Sequence, residues 1–246
     1  MAGCGAFTRG RAGRAWVQLL QKMQGLLVLA MSVEDGMSAK ERPIIFSAPM
    51  VEAILEGRKT QTRRIVKPQP VALDSASTCI GSKQFCDEFC FYGRQGVILY
   101  VKETHWRFGH WVRNGKTKTG KQAWKFQPDY PPNLKCSVIF CAGCKEPTAA
   151  PPPRGTAWPG WWKRPAIFLP ASYSRIKLGV VSIGIQRVQD ITEEDARAEG
   201  CGAACSSPPD GPAKYRIGYS LLWDSIYGKG SGAENPWVWK ITFKRV

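Results

Sequence analysis

Histidine is nearly missing from this chain. His105 and His110 are the only two in 246 residues, so a Ser-His-Asp triad or a histidine-rich metal centre has little to be built from. There is no Walker loop, GxGxxG, GxSxG or HExxH, which removes the common phosphate cradle, the dinucleotide fingerprint, the hydrolase nucleophile elbow and the zinc-peptidase helix. Long apolar runs are missing too. The longest, Gly25 to Met31, falls far short of the roughly 18 to 20 residues that span a bilayer. No membrane partner is expected. Gln18, Gln21, Lys22 and Gln24 also break up any secretory h-region behind Arg9, Arg11 and Arg14. Met37, which opens Met-Ser-Ala-Lys-Glu-Arg-Pro43, is a candidate start, and residues 1–40 are expected to form a poorly structured extension.

Acidic residues are scarce. Asp and Glu number 19 against 35 Lys and Arg, a net charge of +16 with a pI near 9.6. That excess suits an anionic partner, nucleic acid first, or it keeps a basic chain soluble. Hydrophobic residues make up 43%, enough for a substantial core.

Nine cysteines are too few for a disulfide scaffold at this length. Cys141-Ala-Gly-Cys144 has the spacing of half a zinc site, and Cys90 and Cys136 are the candidates for completing it. Reduced thiols of a cytoplasmic protein are the other reading. No other cofactor is implied.

The organised part begins near Arg42. Pro43–Phe46 reads as a strand. Ser47 caps a helix carrying Met50, Val51, Ile54 and Leu55, and Gly57 stands where a left-handed residue ends it. Residues 58–66 should be extended, with Lys59 and Gln61 on one face and Thr60 and Thr62 on the other if the pleat is regular. Further strands are expected at 96–106, 137–140, 165–169, 175–188 and 236–246. Helices are expected from Thr192 to about Glu199 and over Lys214–Ile226, the latter with Ile217, Leu221, Leu222 and Ile226 as its apolar residues. The stretches 70–95, 107–135 and 145–165 read as loop insertions. Scattered strands, three short helices and no βαβ alternation predict an α+β fold, a small and mostly antiparallel barrel forming one domain over 41–246.

Gly57-Arg-Lys-Thr-Gln-Thr-Arg-Arg64 packs four cations and two hydroxyls into eight positions. Such a density suits phosphate binding, or it lowers the pKa of Lys59 through repulsion from Arg58, Arg63 and Arg64, making it a base for a nearby hydroxyl or water. A solvated basic strand is the plain alternative.

This segment, with Arg42–Met50 before it, resembles the opening of ASCH-domain proteins of the phage and prophage type. The likeness continues through Leu99-Tyr-Val-Lys-Glu-Thr-His-Trp106, Arg164–Pro170, Ser174–Leu178, Gln189–Ala196, Leu222–Ile226 and Asn235–Trp239. It implies a PUA-like β-barrel that recognises RNA or a modified nucleoside in the cytoplasm. Some small members remove the acetyl group of N4-acetylcytidine with a Lys, a Thr and a Glu, which fall here on Lys59, Thr62 and Glu199. Arg58, Arg63 and Arg64 would then contact substrate or nucleic acid, and Tyr100, Trp106 and Trp239 are candidates for stacking on the base, or else are barrel core and loop anchors. Gly96-Val97 stands where the family often has Gly-Asp, and this chain is about twice as long as the compact amidohydrolases. A non-catalytic RNA-binding module and a metal-independent ribonuclease remain open as alternatives.

Overall fold

A computed structural model describes residues 41–69, 85–86, 89–131, 137–202 and 214–246. The candidate start at Met37 and the extension over 1–40 lie outside the described residues. The fold is mixed α+β, dominated by strands, with two open sheets and three α-helices among the described residues.

The first sheet has the order β1 (Arg42–Ile45), β3 (Ile98–Lys102), β8 (Lys177–Arg187), β9 (Trp237–Arg245), β2 (Gln61–Ile65). β1 pairs with β3 in parallel and every other pair is antiparallel. Its strands alternate as half-buried strands do, so Leu99, Val101, Leu178, Val180, Ile241 and Phe243 meet over one core. Removing each such side chain from water contributes about 1.5–3 kcal/mol. Between β1 and β2, helix α1 (Ala48–Leu55) buries Val51, Ala53 and Ile54 against that core, while Leu55 is left outside. Gly57 ends it with φ +77°, as the left-handed requirement anticipated. The two edge strands approach each other where Arg64 Nη2 donates to the Ile45 carbonyl at 2.6 Å, so the sheet curls without being joined by a ladder there.

The stretch 107–135 was expected to be a loop, and the structure corrects this. β4 (His105–Lys116) is the longest strand, and it turns at Thr117–Gly120 into β5 (Gln122–Pro128). Cross-strand partners such as Trp111–Phe126 and Arg113–Trp124 hold the hairpin together. A short β6 (Val138–Phe140) lines the other edge of β4, and β7 (Gly160–Arg164), inside the expected loop 145–165, pairs with His105–Gly109. The expected strand 96–106 is two strands, parted at Glu103 and Thr104. Residues 165–169 form a 3-10 turn over Ala166–Phe168 instead of a strand, since Pro165 begins it and cannot donate to a ladder. In the expected insertion 70–95, Cys86 and Cys90 are buried in the first core.

Two further helices complete the fold: α2 (Glu193–Ala198), capped by the Thr192 hydroxyl accepting from Asp195 N–H at 3.1 Å, and α3 (Lys214–Tyr227). Of the apolar face expected of α3, only Leu222 packs against the core. Ile217, Leu221 and Ile226 are exposed, whereas Tyr219 and Trp223 are buried with Val188, Ile191, Ala196 and Val238. Aromatic rings at i and i+4 bury more surface than the aliphatic set, and they win the core side.

Candidate functional site

Lys59 leaves the ladder just before β2 begins. Its backbone bridges Glu199 at the end of α2, and Thr60 stands between the two partners: its N–H donates to the Ala198 carbonyl at 2.8 Å and its carbonyl accepts from Phe243 N–H of β9 at 2.9 Å, where the pairing of Gln61–Ile65 with β9 begins. This change of partner breaks the regular pleat. Lys59 and Thr62 are both buried while Thr60 is exposed, contrary to the expected alternation. Gly200 makes the approach possible. It sits at φ +77°, and a Cβ there would lie 2.9 Å from Lys59 Cβ and 3.0 Å from Ala53 Cβ.

The Lys59 ammonium has all three protons engaged: Glu199 Oε2 at 2.7 Å, the Glu199 carbonyl at 2.8 Å and the Gln61 carbonyl at 2.8 Å. The other carboxylate oxygen of Glu199 accepts from Arg63 Nη1 at 3.1 Å. Arg63 Nη2 donates to Asp195 Oδ2 at 2.7 Å, and Lys240 Nζ donates to both oxygens of Asp195 at 2.9 and 2.7 Å. The side chains of Lys59 and Arg63 are 0% exposed and that of Glu199 is 4%. Burial pushes the Lys59 pKa down, Glu199 pulls it back up by charge and hydrogen bond, and Arg64 adds a smaller downward push. The repulsion expected from Arg58 and Arg63 is not the cause. Arg58 points outward to Glu56, and Arg63 is matched by two carboxylates. Burial raises the pKa of Asp195, but hydrogen bonding from Lys240 and the charge of Arg63 outweigh it and hold the carboxyl below its usual range.

Thr62, Arg63, Arg64 and Glu199 line a narrow cleft of about 20 Å³, room for about one water and far below the ~300–1,000 Å³ typical of ligand pockets. The Thr62 hydroxyl is not drawn into the Lys59–Glu199 network. Tyr219, Trp223 and Tyr227 of α3 form the far wall, with Met50 and Ile226 beside them. Four of these lining side chains carry a buried donor with no acceptor among the described residues: Arg63 Nε, Arg64 Nε, the Tyr219 hydroxyl and Trp223 Nε1. Burial and the nearby Glu199 carboxylate push the Tyr219 pKa up, so it remains a donor. A ligand presenting carbonyl oxygens satisfies such a wall.

The three residues that the resemblance marks for chemistry thus come together. The aromatic candidates do not. Trp239 is buried in the first core, its ring 6.1 Å from that of Phe85. Tyr100 lies on β3, opposite Lys177. Trp106 lies in the second sheet with Lys163 Nζ 5.6 Å from its ring centre. The cleft takes its rings from α3 instead, where Tyr215, Tyr219, Trp223 and Tyr227 recur every fourth residue, a stripe visible in the sequence but overshadowed by the aliphatic residues between them. Asp195, in the first turn of α2, and Lys240, on β9, complete the ion-pair network, and neither belongs to a motif that stands out in the sequence.

Of the zinc candidates, Cys90 is buried in the first core, Cys141 is half-buried and Cys144 exposed, while Cys136 lies outside the described residues. No group of three or more His, Cys, Asp or Glu suited to a metal ion occurs among the described residues. Among the same residues, no helix is long and apolar enough to cross a membrane. Comparisons with protein-family models, with curated proteins and with solved structures find no match.

Proposed function

We propose that the Lys59–Glu199 pair and the cleft beside it, which widens to admit a base, hydrolyse an acyl amide on a nucleobase, with N4-acetylcytidine the substrate the ASCH resemblance implies, and that the curled first sheet is the core of a PUA-like barrel. The observation that carries the reading is the meeting of Lys59 Nζ and Glu199 Oε2 at 2.7 Å, although the two residues are 140 positions apart, with Thr62 lining the cleft that Glu199 also lines. Low polarity around the pair favours moving the proton from Nζ to the carboxylate, which turns an ion pair into a neutral amine and a carboxylic acid. The amine then takes the proton of the Thr62 hydroxyl, or of a water beside it, as that oxygen attacks the acetyl carbonyl. The unpaired Arg64 Nε is suited to receive the resulting oxyanion. Glu199 donates its proton to the departing exocyclic nitrogen as the C–N bond breaks, leaving cytidine and, after water has released any acyl-Thr62, acetate. The donors on the α3 wall suit the carbonyl oxygen of the pyrimidine ring.

The test is incubation of the full chain with N4-acetylcytidine and chromatographic separation of the products, beside Lys59→Ala and Thr62→Val. Cytidine and acetate are expected from the natural chain, with turnover lowered by roughly 10²–10⁴ in Lys59→Ala, the usual worth of general acid–base catalysis. Thr62→Val keeps the side-chain shape, so its loss of activity reports the hydroxyl and not the fold. If no cytidine forms even at high protein concentration, the deacetylase reading falls and a non-catalytic binding role takes its place.

A further inference from the structure

The cations of the second sheet have no counterpart in the Lys59 cleft and share none of its residues. Arg107 on β4 and Arg164 on β7 lie on one face, because His105 pairs with Arg164 and Arg107 with Trp162 directly across the ladder. Trp111 and its partner Phe126 continue that face onto the hairpin. Arg164 stacks 4.7 Å from the ring centres of Trp111 and Phe126 and 4.4 Å from Phe168, Arg154 lies 4.8 Å above Trp111, and Arg107 lies 4.3 Å above Tyr173. None of the three guanidiniums has a carboxylate partner among the described residues. They are close enough to repel: burial, then Arg154, then Arg107 lower the pKa of Arg164. Two buried donors in the same place, Arg107 Nε and Trp111 Nε1, also lack an acceptor. Beyond them the hairpin tip adds Lys116, Lys118 and Lys121, all exposed.

We propose that this face of the second sheet, centred on Arg107, Arg154 and Arg164 and extended along the β4–β5 hairpin, binds a single-stranded polynucleotide. These guanidiniums lie over aromatic rings without a carboxylate, and phosphate oxygens fit a guanidinium fork in pairs. A row of phosphates matches a row of cations running from Arg164 to the hairpin tip, which an isolated small anion would not need. The half-exposed rings of Trp111, Phe126 and Phe168 offer bases a surface to stack on at the gaps between guanidiniums. The inference stands independently of any reaction at Lys59.

The experiment is fluorescence anisotropy of the full chain with a labelled single-stranded RNA of mixed sequence and the matching DNA strand, over a series of salt concentrations. The platform variant is Arg107→Gln/Arg154→Gln/Arg164→Gln. The control, Lys229→Gln/Lys244→Gln/Arg245→Gln, removes the same charge from exposed positions elsewhere. The platform variant should bind at least about tenfold more weakly, with the log–log salt slope reduced by about two, at roughly 0.7 per phosphate contact. The control should stay within about twofold. Equal losses in both variants would reduce the effect to bulk charge and overturn the proposal. So would displacement of the RNA by polyglutamate at matched charge, which would make the partner an acidic protein. If thermal melting shows that the platform variant does not fold, Lys116→Gln/Lys118→Gln/Lys121→Gln reads the same surface from solvent-exposed side chains. Unchanged affinity and slope in that variant would equally overturn it.

Discussion

Replacing Glu199 by Gln keeps the side-chain volume and removes one negative charge from a place where two buried cations depend on it. Lys59 and Arg63 have side chains with no exposed surface, and they contact opposite oxygens of this one carboxylate at 2.7 and 3.1 Å. Asp195 still serves Arg63 but makes no contact with Lys59. The variant therefore leaves an uncompensated buried ammonium, and breaking a buried pair in this way costs about 3–5 kcal/mol. Urea denaturation measures it. At a slope of about 2 kcal/mol per molar, a loss of about 3 kcal/mol moves the midpoint by roughly 1.5 M with the slope unchanged. Glu146→Gln is the internal control: its pair with Lys163 is more than half exposed on both sides, and exposed pairs contribute about 0–1 kcal/mol. The pH dependence gives a second reading. Burial already holds the Lys59 pKa below its ordinary 10.5, and Glu199 opposes that push, so the variant lowers it further. Between the folded pKa and 10.5 the unfolded chain binds more protons than the folded one, so stability rises with pH across that window. Glu199→Gln should regain stability from neutral to alkaline pH more steeply than the natural chain. A loss no larger than that of Glu146→Gln, with parallel pH profiles, would refute the picture of a dry ion pair.

Two other substitutions or titrations probe the same framework. Gly200→Ala meets both the left-handed φ, worth about 1–2 kcal/mol, and a crowded contact with Lys59 and Ala53, worth about 1–3 kcal/mol more. Gly57→Ala has the same φ but open space around it, so calorimetry should show the Gly200 variant clearly the less stable; equal losses would mean that α2 does not press on Lys59. His105 is fully buried, and its Nδ1 must donate to the Glu103 carbonyl, 3.1 Å away, which leaves Nε2 as an unprotonated acceptor with no partner among the described residues. Burial, despite that bond, and then the charges of Arg107, Arg164 and Lys102 lower its pKa below 6.5. Its contribution to stability is thus present above pH 6.5 and lost as the pH falls toward the folded pKa. Ring nitrogen NMR should find the neutral Nδ1–H form in the majority at pH 6.5, and a majority imidazolium there would contradict the arrangement.

Local chemistry made much of the first sheet legible. Ser47, Gly57 and Thr192 mark helix ends where the structure has them, and the alternation of Trp237, Trp239, Ile241 and Phe243 marks β9. The hairpin of the second sheet was not legible because its strands are half-exposed on a basic face: Lys and Arg interrupt the apolar period, and what holds β4 to β5 is cross-strand pairing between Trp111 and Phe126, a relation between positions fifteen apart. The burial of Tyr219 and Trp223 on α3 has a similar origin. Counting apolar residues treats Ile217 and Trp223 alike, whereas the space against Val188 and Val238 selects the larger rings. At the candidate site, Lys59 and Thr62 stand out by density of function, but the burial of both depends on a partner change at Thr60 that no period within the segment encodes.

The same geometry divides two properties that a linear reading had placed together. Arg58–Arg64 was a natural choice for holding phosphates, being the densest run of cations joined to reactive hydroxyls. In the fold three of those four cations are matched by carboxylates, Arg58 by Glu56, Lys59 by Glu199, and Arg63 by Glu199 and Asp195, while Arg64 donates to the Ile45 carbonyl. Buried ammonium and guanidinium groups matched by carboxylates contribute little to the external field, so this segment is poorly suited to attracting a polyanion and well suited to relaying a proton inside a small cleft. Guanidiniums without a carboxylate gather on the second sheet, at Arg107, Arg154 and Arg164, with the hairpin lysines beyond them. Chemistry and electrostatic attraction are thereby assigned to different sheets. It follows that Lys59→Ala should abolish turnover while leaving polynucleotide affinity and its salt slope intact, and that the triple arginine variant should do the reverse toward a free nucleoside. A single variant that lost both together would show that the two surfaces act as one site.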